Sequence, residues 1–111
     1  MDDEIRPPSH LAAPTKRWFM QICETYELES HHLRLLTLAC EAWDRGQQAR
    51  KRIAEDGAVV PNRWGELRPH PSVGIERDAQ TMFARLVREL NLDSAPDESR
   101  PPRISARRGA A

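Results

Sequence analysis

The chain has little of what site chemistry requires. Its 111 residues include two cysteines and five glycines, and aromatics make up 5%. The glycines stand apart at 46, 57, 65, 74 and 109, so no glycine-rich loop can cradle a phosphate. Cys23 and Cys40 form no CxxC pair and the histidines no HxxxH pair, so the spacings that hold zinc are missing. His31 and His32 are adjacent, which on a helix aims them about 100° apart and away from one shared ion. Two cysteines make no disulfide scaffold, and both fall on apolar helical faces, where they read as buried, inert thiols. No serine or cysteine is paired with a histidine in a local setting that would activate it. No catalytic residue, metal or cofactor is expected, and the chain is not read as an enzyme.

Other absences narrow the class further. No apolar run approaches the roughly 20 residues that cross a bilayer. The opening "MDDEIRPPSH" is acidic and lacks the apolar stretch of a secretory signal. A reducing, intracellular setting away from membranes is the expectation. Seventeen basic and seventeen acidic side chains cancel, which excludes a simple polycation. The cancellation is not local, because Arg100, Arg103, Arg107 and Arg108 stand in the last stretch of chain without an acid among them.

What the chain does have is proline, nine in all, clustered near 7–14, 61–71 and 96–102. These clusters mark where regular structure stops. Residues 1–13 read as a flexible N-terminal arm, 14–92 as a helical oligomerisation core, and 93–111 as a disordered tail of Arg, Pro, Ser and Asp with almost nothing to bury. The first helix is expected from Pro14 to about Leu28, with Trp18, Phe19, Ile22, Cys23 and Tyr26 on one face. Ser30 is placed to cap a second, longer helix that ends near Gly57. The third runs from Pro71 or Ser72 to Leu90, stopped by Asn91, with Ile75, Ala79, Met82, Phe83, Leu86, Val87 and Leu90 as its apolar face. Between the last two helices, Val59 and Val60 against Leu67 predict a short β-hairpin around "PNRWG". The fold class expected is mainly α: a three-helix protomer with a long central helix and a short hairpin or loop before the last helix.

The second helix carries the most information. Its apolar and small residues cover more than half the helical circumference, whereas an outer helix of a small bundle needs an arc of about 100° or a little more. Two other helices are too few to bury it, so a neighbouring subunit is expected against Leu35, Leu38, Ala42, Trp43 and Ile53. An ordered core of this length is marginal alone, and oligomerisation is one remedy. Gly46 inside this helix costs about 1 kcal/mol relative to alanine, and permits either a kink or a close backbone approach. Glu41 and Arg45 are spaced as a surface pair. Glu76, at the edge of the third helix's apolar arc, needs a partner on another helix.

Arg45, Arg50, Lys51 and Arg52 form an acid-free cluster, although only Arg45 and Arg52 stack on one face. A single copy makes a poor DNA track, but repeated around an assembly the cluster would line a continuous one. Arg103, Arg107 and Arg108 of the tail are further candidates for phosphate contacts. Pro69 and Pro71 are read as holding His70 extended and starting the third helix, with DNA or partner contact by His70 as the alternative.

Two segments, "HHLRLLTLACEAWDR" and "GELRPHPSVGIERDAQTMFARLVRELNL", together resemble the small subunit of tailed-phage DNA-packaging terminases, in the short branch with a G-x-L-[KR]-P-H-P loop. The resemblance covers roughly residues 14–92. It implies a noncatalytic protein that assembles as a homo-oligomeric ring, binds viral double-stranded DNA, and delivers it to the large ATPase and nuclease subunit in the host cytoplasm at the procapsid. Many members place a helix-turn-helix domain ahead of the oligomerising core. None is expected in the 13 residues before the first helix, so no DNA-contacting residues are carried over from such relatives. The rival readings are a dimeric DNA-binding regulator, which would need discrete half-sites, and an adaptor that binds protein without touching DNA.

Overall fold

In the computed structural model, which describes residues 4–92, the chain is mainly helical. The order is α1 (Ala13–Thr25), α2 (Ser30–Asp56), β1 (Val59–Pro61), β2 (Leu67–Pro69) and α3 (Pro71–Leu90). This is the expected three-helix protomer, with a long central helix and a two-stranded hairpin before the last. The tail with Arg103, Arg107 and Arg108 lies outside the described residues.

The helices α2 and α3 lie antiparallel, and their seam is built from small residues. Ala39, Ala42, Gly46 and Ala49 are buried along α2, with Ser72 and Ala79 buried opposite them on α3. At Gly46 a Cβ would come 3.4 Å from the Ala79 Cβ. Gly46 therefore serves close helix approach, within a helix that runs uninterrupted from Ser30 to Asp56. Ala42, expected to meet another subunit, is 1% exposed in this seam and is taken up within the protomer. A wheel drawn on α2 alone does not say which part of its wide apolar arc α3 occupies.

A second cluster closes the other end, where Leu11, Phe19, Leu36, Cys40 and Leu90 pack together. Leu11 belongs to the segment read as a flexible arm, and its burial fixes that segment's end to the core. Asp44 of α2 reinforces the attachment. Its carboxylate accepts the Ala12 backbone N–H at 2.8 Å and the Thr15 hydroxyl, so it caps the N-terminus of α1 from a neighbouring helix. A negative group there also suits the helix dipole. Glu41 is taken by His10 Nε2 at 2.8 Å rather than by Arg45. The first helix stops three residues earlier than expected. Tyr26 is extended, which releases Leu28 to pack against the core from the connection.

Glu29, not Ser30, is the N-cap of α2, and its backbone N–H donates to His32 Nδ1 at 3.1 Å. At the far end Gly57 has φ 88° and stops the helix. The chain then enters the hairpin, with Val59 opposite Pro69, Val60 opposite Arg68 and Pro61 opposite Leu67. Backbone bonds run from Asn62 N–H to Glu66 O and from His70 N–H to Ala58 O. Bonded and non-bonded pairs alternate along an antiparallel ladder, so Val59–Pro69 and Pro61–Leu67 point their own backbone groups outward. Pro61 and Pro69 occupy such positions, so they cost the hairpin no hydrogen bond while removing donors from both free edges. The turn is held by Asn62 Oδ1, which accepts from the Trp64 and Glu66 N–H groups.

His70 joins this hairpin to both long helices. It is the N-cap of α3, with Nδ1 accepting the Ser72 N–H at 2.9 Å, while Nε2 lies 2.9 Å from Asp56 Oδ2 at the end of α2. Both contacts are satisfied by the neutral imidazole protonated at Nε2. Pro71 follows in the first turn, where a missing N–H is harmless. The two prolines and the histidine thus set the return angle of α3. We expect His70→Ala to lower unfolding free energy by about 1–2 kcal/mol, with His70→Asn recovering part of it by restoring the cap. Equal losses in the two variants, measured in urea at one protein concentration, would place the effect elsewhere.

Candidate functional site

Among the described residues no group of three or more His, Cys, Asp or Glu side chains is arranged to hold a metal ion. Burial pushes the Cys40 thiol up to about 12, helped by the nearby Asp44, Cys23 and Glu41 charges. Burial first, and Glu24 second, raises Cys23. Both thiols are held protonated and are poor nucleophiles. No helix of the described residues is long and apolar enough to cross a membrane.

The surface features are of a different kind. On one side of the α2–α3 pair, where α1 also packs, an apolar cleft of about 400 Å³ is lined by Pro14, Thr15, Trp18, Trp43 and Phe83. The Phe83 ring centroid lies 5.1 Å from that of Trp43 and 5.8 Å from that of Trp18. Trp43 nevertheless remains 46% exposed. The Thr15 hydroxyl is already given to Asp44, so the cleft offers shape and apolar area rather than polar chemistry.

The opposite side of the pair carries Leu38, Ile75 and Met82, which are 51%, 43% and 43% exposed. On α2, Leu38 and Trp43 diverge by about 140° around the helix, and on α3, Met82 and Phe83 by about 100°. With Trp43 against Phe83 on one side, Leu38 and Met82 fall to the other. Of the residues expected to meet a second subunit, Leu38 and Trp43 are thus accessible but on opposite sides. Leu35 and Ile53 are partly buried, and Ala42 is buried. Ile75 and Met82 were assigned by pattern to the core. Their exposure was legible only in that the apolar arc of α3 is wider than one neighbouring helix fills.

The basic residues do not converge within one protomer. Arg45 and Arg52 are exposed and follow Leu38 at intervals of seven, along the edge of the open side. Arg50 lies beside the cleft side, where its Nε is 3.0 Å from Glu76 Oε2. That contact supplies the partner Glu76 needs. Lys51 is exposed and turns away from both. The hairpin adds cations that pattern did not single out. Arg63 sits 4.4 Å over the Trp64 ring, and Arg68 pairs with Glu66 at 3.0 Å. Val59, Pro61, Leu67 and Pro69 share one face of the hairpin and are all exposed.

Compared with known families, residues 16–100 match the family described as phage terminase, small subunit. No curated protein matches the chain, and no solved structure does.

Proposed function

The chain belongs to the phage terminase small-subunit family, and on that premise we propose that it binds viral double-stranded DNA and delivers it to the large ATPase and nuclease subunit. It takes part in phage DNA packaging in the host cell, at the procapsid motor, as a noncatalytic subunit. The family match over all three helices and the hairpin carries this reading. The apolar surface left uncovered on both sides of α2–α3 supports self-assembly into a ring, with Leu35, Leu38, Trp43 and Ile53 at or behind its contacts.

In a ring the exposed Arg45 and Arg52 of every copy recur at one radius, which makes a periodic positive track that this pair in one protomer does not. Lys51 and Arg50 add to it from the flanks, Arg50 less because Glu76 offsets its charge. Arg103, Arg107 and Arg108 of the tail supply further phosphate contacts in this reading.

Charge reversal tests it. Arg45→Glu combined with Arg52→Glu should weaken binding to duplex DNA and flatten the dependence of log affinity on log salt by about 1 for each phosphate contact removed. Fluorescence anisotropy across a salt series measures both. Wild-type affinity and slope in the variant would remove these residues from the DNA site, and absence of salt-dependent binding by the wild type would favour the adaptor.

A further inference from the structure

The basic residues of α2 diverge around their helix, but those of α3 converge. Ser72, Ala79, Leu86 and Leu90 are buried along α3 and define its inward direction. At about 100° per residue, Arg77, Thr81 and Arg88 fall within about 30° of the line opposite, and Arg85 within about 60°. All four are exposed. We infer that this outer face of α3 is a second DNA contact, with Arg77, Arg85 and Arg88 along the phosphates of one strand and the Thr81 hydroxyl between them. The inference rests on the DNA-binding reading above and gives it a place on the protomer apart from Arg45 and Arg52.

Three observations point to a polyanion as the occupant. The first is how charge is sorted. The helix carries three arginines and three acids, yet no acid falls within the arc of about 100° that holds the arginines. The other residues of that arc are Gly74, Thr81 and Ala84. Glu76 is turned to the cleft side, where Arg50 holds it at 3.0 Å, and Asp78 and Glu89 stand at one edge. A face that serves solubility alone intersperses both signs. The second is availability. Arg85 and Arg88 have no ion-pair partner among the described residues. Arg77 meets Asp78 at 3.5 Å with the two side chains 72% and 79% exposed, a contact that holds little free energy.

The third observation is where Arg77 reaches. Its Nη2 lies 3.4 Å from the position a Cβ on Gly74 would take, so the guanidinium lies back over the first turn of α3. That end of a helix carries the positive pole of the dipole and disfavours a cation. Helix stability accounts for Arg88, which stands in the last turn, but not for Arg77. An anion at the same turn gains from the guanidinium and the dipole together. From Arg77 to Arg88 the row spans about 17 Å at 1.5 Å per residue, or about five phosphates at 3.4 Å per strand. Gly74 and Ala84 leave the helix surface low enough for close approach. Contacts of this kind supply affinity and orientation without reading bases.

The test is duplex-DNA binding by fluorescence anisotropy across a salt series, on the full chain, with circular dichroism confirming that each variant folds. Arg85→Gln with Arg88→Gln should flatten the dependence of log affinity on log salt by about 1.8, and adding Arg77→Gln by about 0.9 more. Lysine at the same positions should keep the slope, because a point charge suffices for a phosphate. Asp78→Asn with Glu89→Gln, which neutralises the edge of the row, should tighten binding, a gain that loss of structure cannot produce. Arg6→Gln with Arg17→Gln removes two exposed charges elsewhere and should leave the slope unchanged. A wild-type slope in the glutamine variants overturns the α3 contact while DNA binding stands. An equal loss in the Arg6 and Arg17 control assigns the effect to net charge and overturns it too, as does an equal loss with lysine. If the glutamine variants do not fold, the acid variant decides alone, and no gain overturns the contact. A wild type without salt-dependent binding overturns the DNA reading and the contact together.

Discussion

Asp44→Ala should lower the unfolding free energy by about 2–4 kcal/mol, the largest loss expected from any single polar substitution here. The carboxylate accepts both the Ala12 N–H and the Thr15 hydroxyl, and Thr15 is buried. Removing the acceptor leaves a buried hydroxyl and an orphaned helix N-terminus. Bonds to a charged group are worth about 1.5–3 kcal/mol, and an unsatisfied buried donor costs about 1–3 kcal/mol. The pair separates the two effects. In Thr15→Val/Asp44→Ala neither partner is left unpaired, so the double variant should recover much of the loss, whereas additive losses would show that the two side chains act independently. Urea unfolding at one fixed protein concentration reads all three. The consequence reaches beyond α1. Asp44 holds Pro14 and Trp18 in position, and they form one wall of the cleft.

Gly46 gives a pair of predictions opposite in sign. Gly46→Leu should destabilise by about 3 kcal/mol, because a branched side chain in the tight α2–α3 seam forces the helices apart or off their rotamers. Gly46→Ala should be neutral or stabilising by up to about 1 kcal/mol. A single Cβ meets Ala79 at 3.4 Å, an ordinary contact, and alanine is the better helix former. In a domain of this size 1 kcal/mol moves Tm by about 4–8 °C, so a thermal melt resolves the sign. If alanine destabilised as much as leucine, the seam would have no room for a methyl group, and the helix spacing described here would be too wide.

Much of this fold was legible because local signals agree. Pro14 and Pro71 open helices, Gly57 and Asn91 close them with positive φ, and Pro61 and Pro69 stand where a hairpin tolerates proline. Glu76 revealed by its position that it needed a partner, and Arg50 is that partner. Local signals were weaker at ends. The capping residue of α2 is Glu29 rather than Ser30, because the His32 ring reaches back to the Glu29 N–H. Also illegible was what α1 and the segment before it attach to. Nothing in the spacing of His10 or Ala12 announces Glu41 or Asp44, which lie some 30 residues away in sequence.

The sequence by itself determined the elements, the absence of spacings that carry catalytic or metal chemistry, and an apolar arc on α2 too wide for its own protomer to cover. Those are properties of residue order along a single helix or turn. Tertiary structure alone decided how the arc is divided. Ala42 and Gly46 go to α3, Trp43 to the cleft beside α1, and Leu38 to the open side. The physical reason is that helix periodicity fixes the angle between side chains on one helix. It leaves undetermined the angle at which the next helix approaches, and here that angle is set by small side chains at the Gly46–Ala79 seam and by the His70 clasp between α2 and α3.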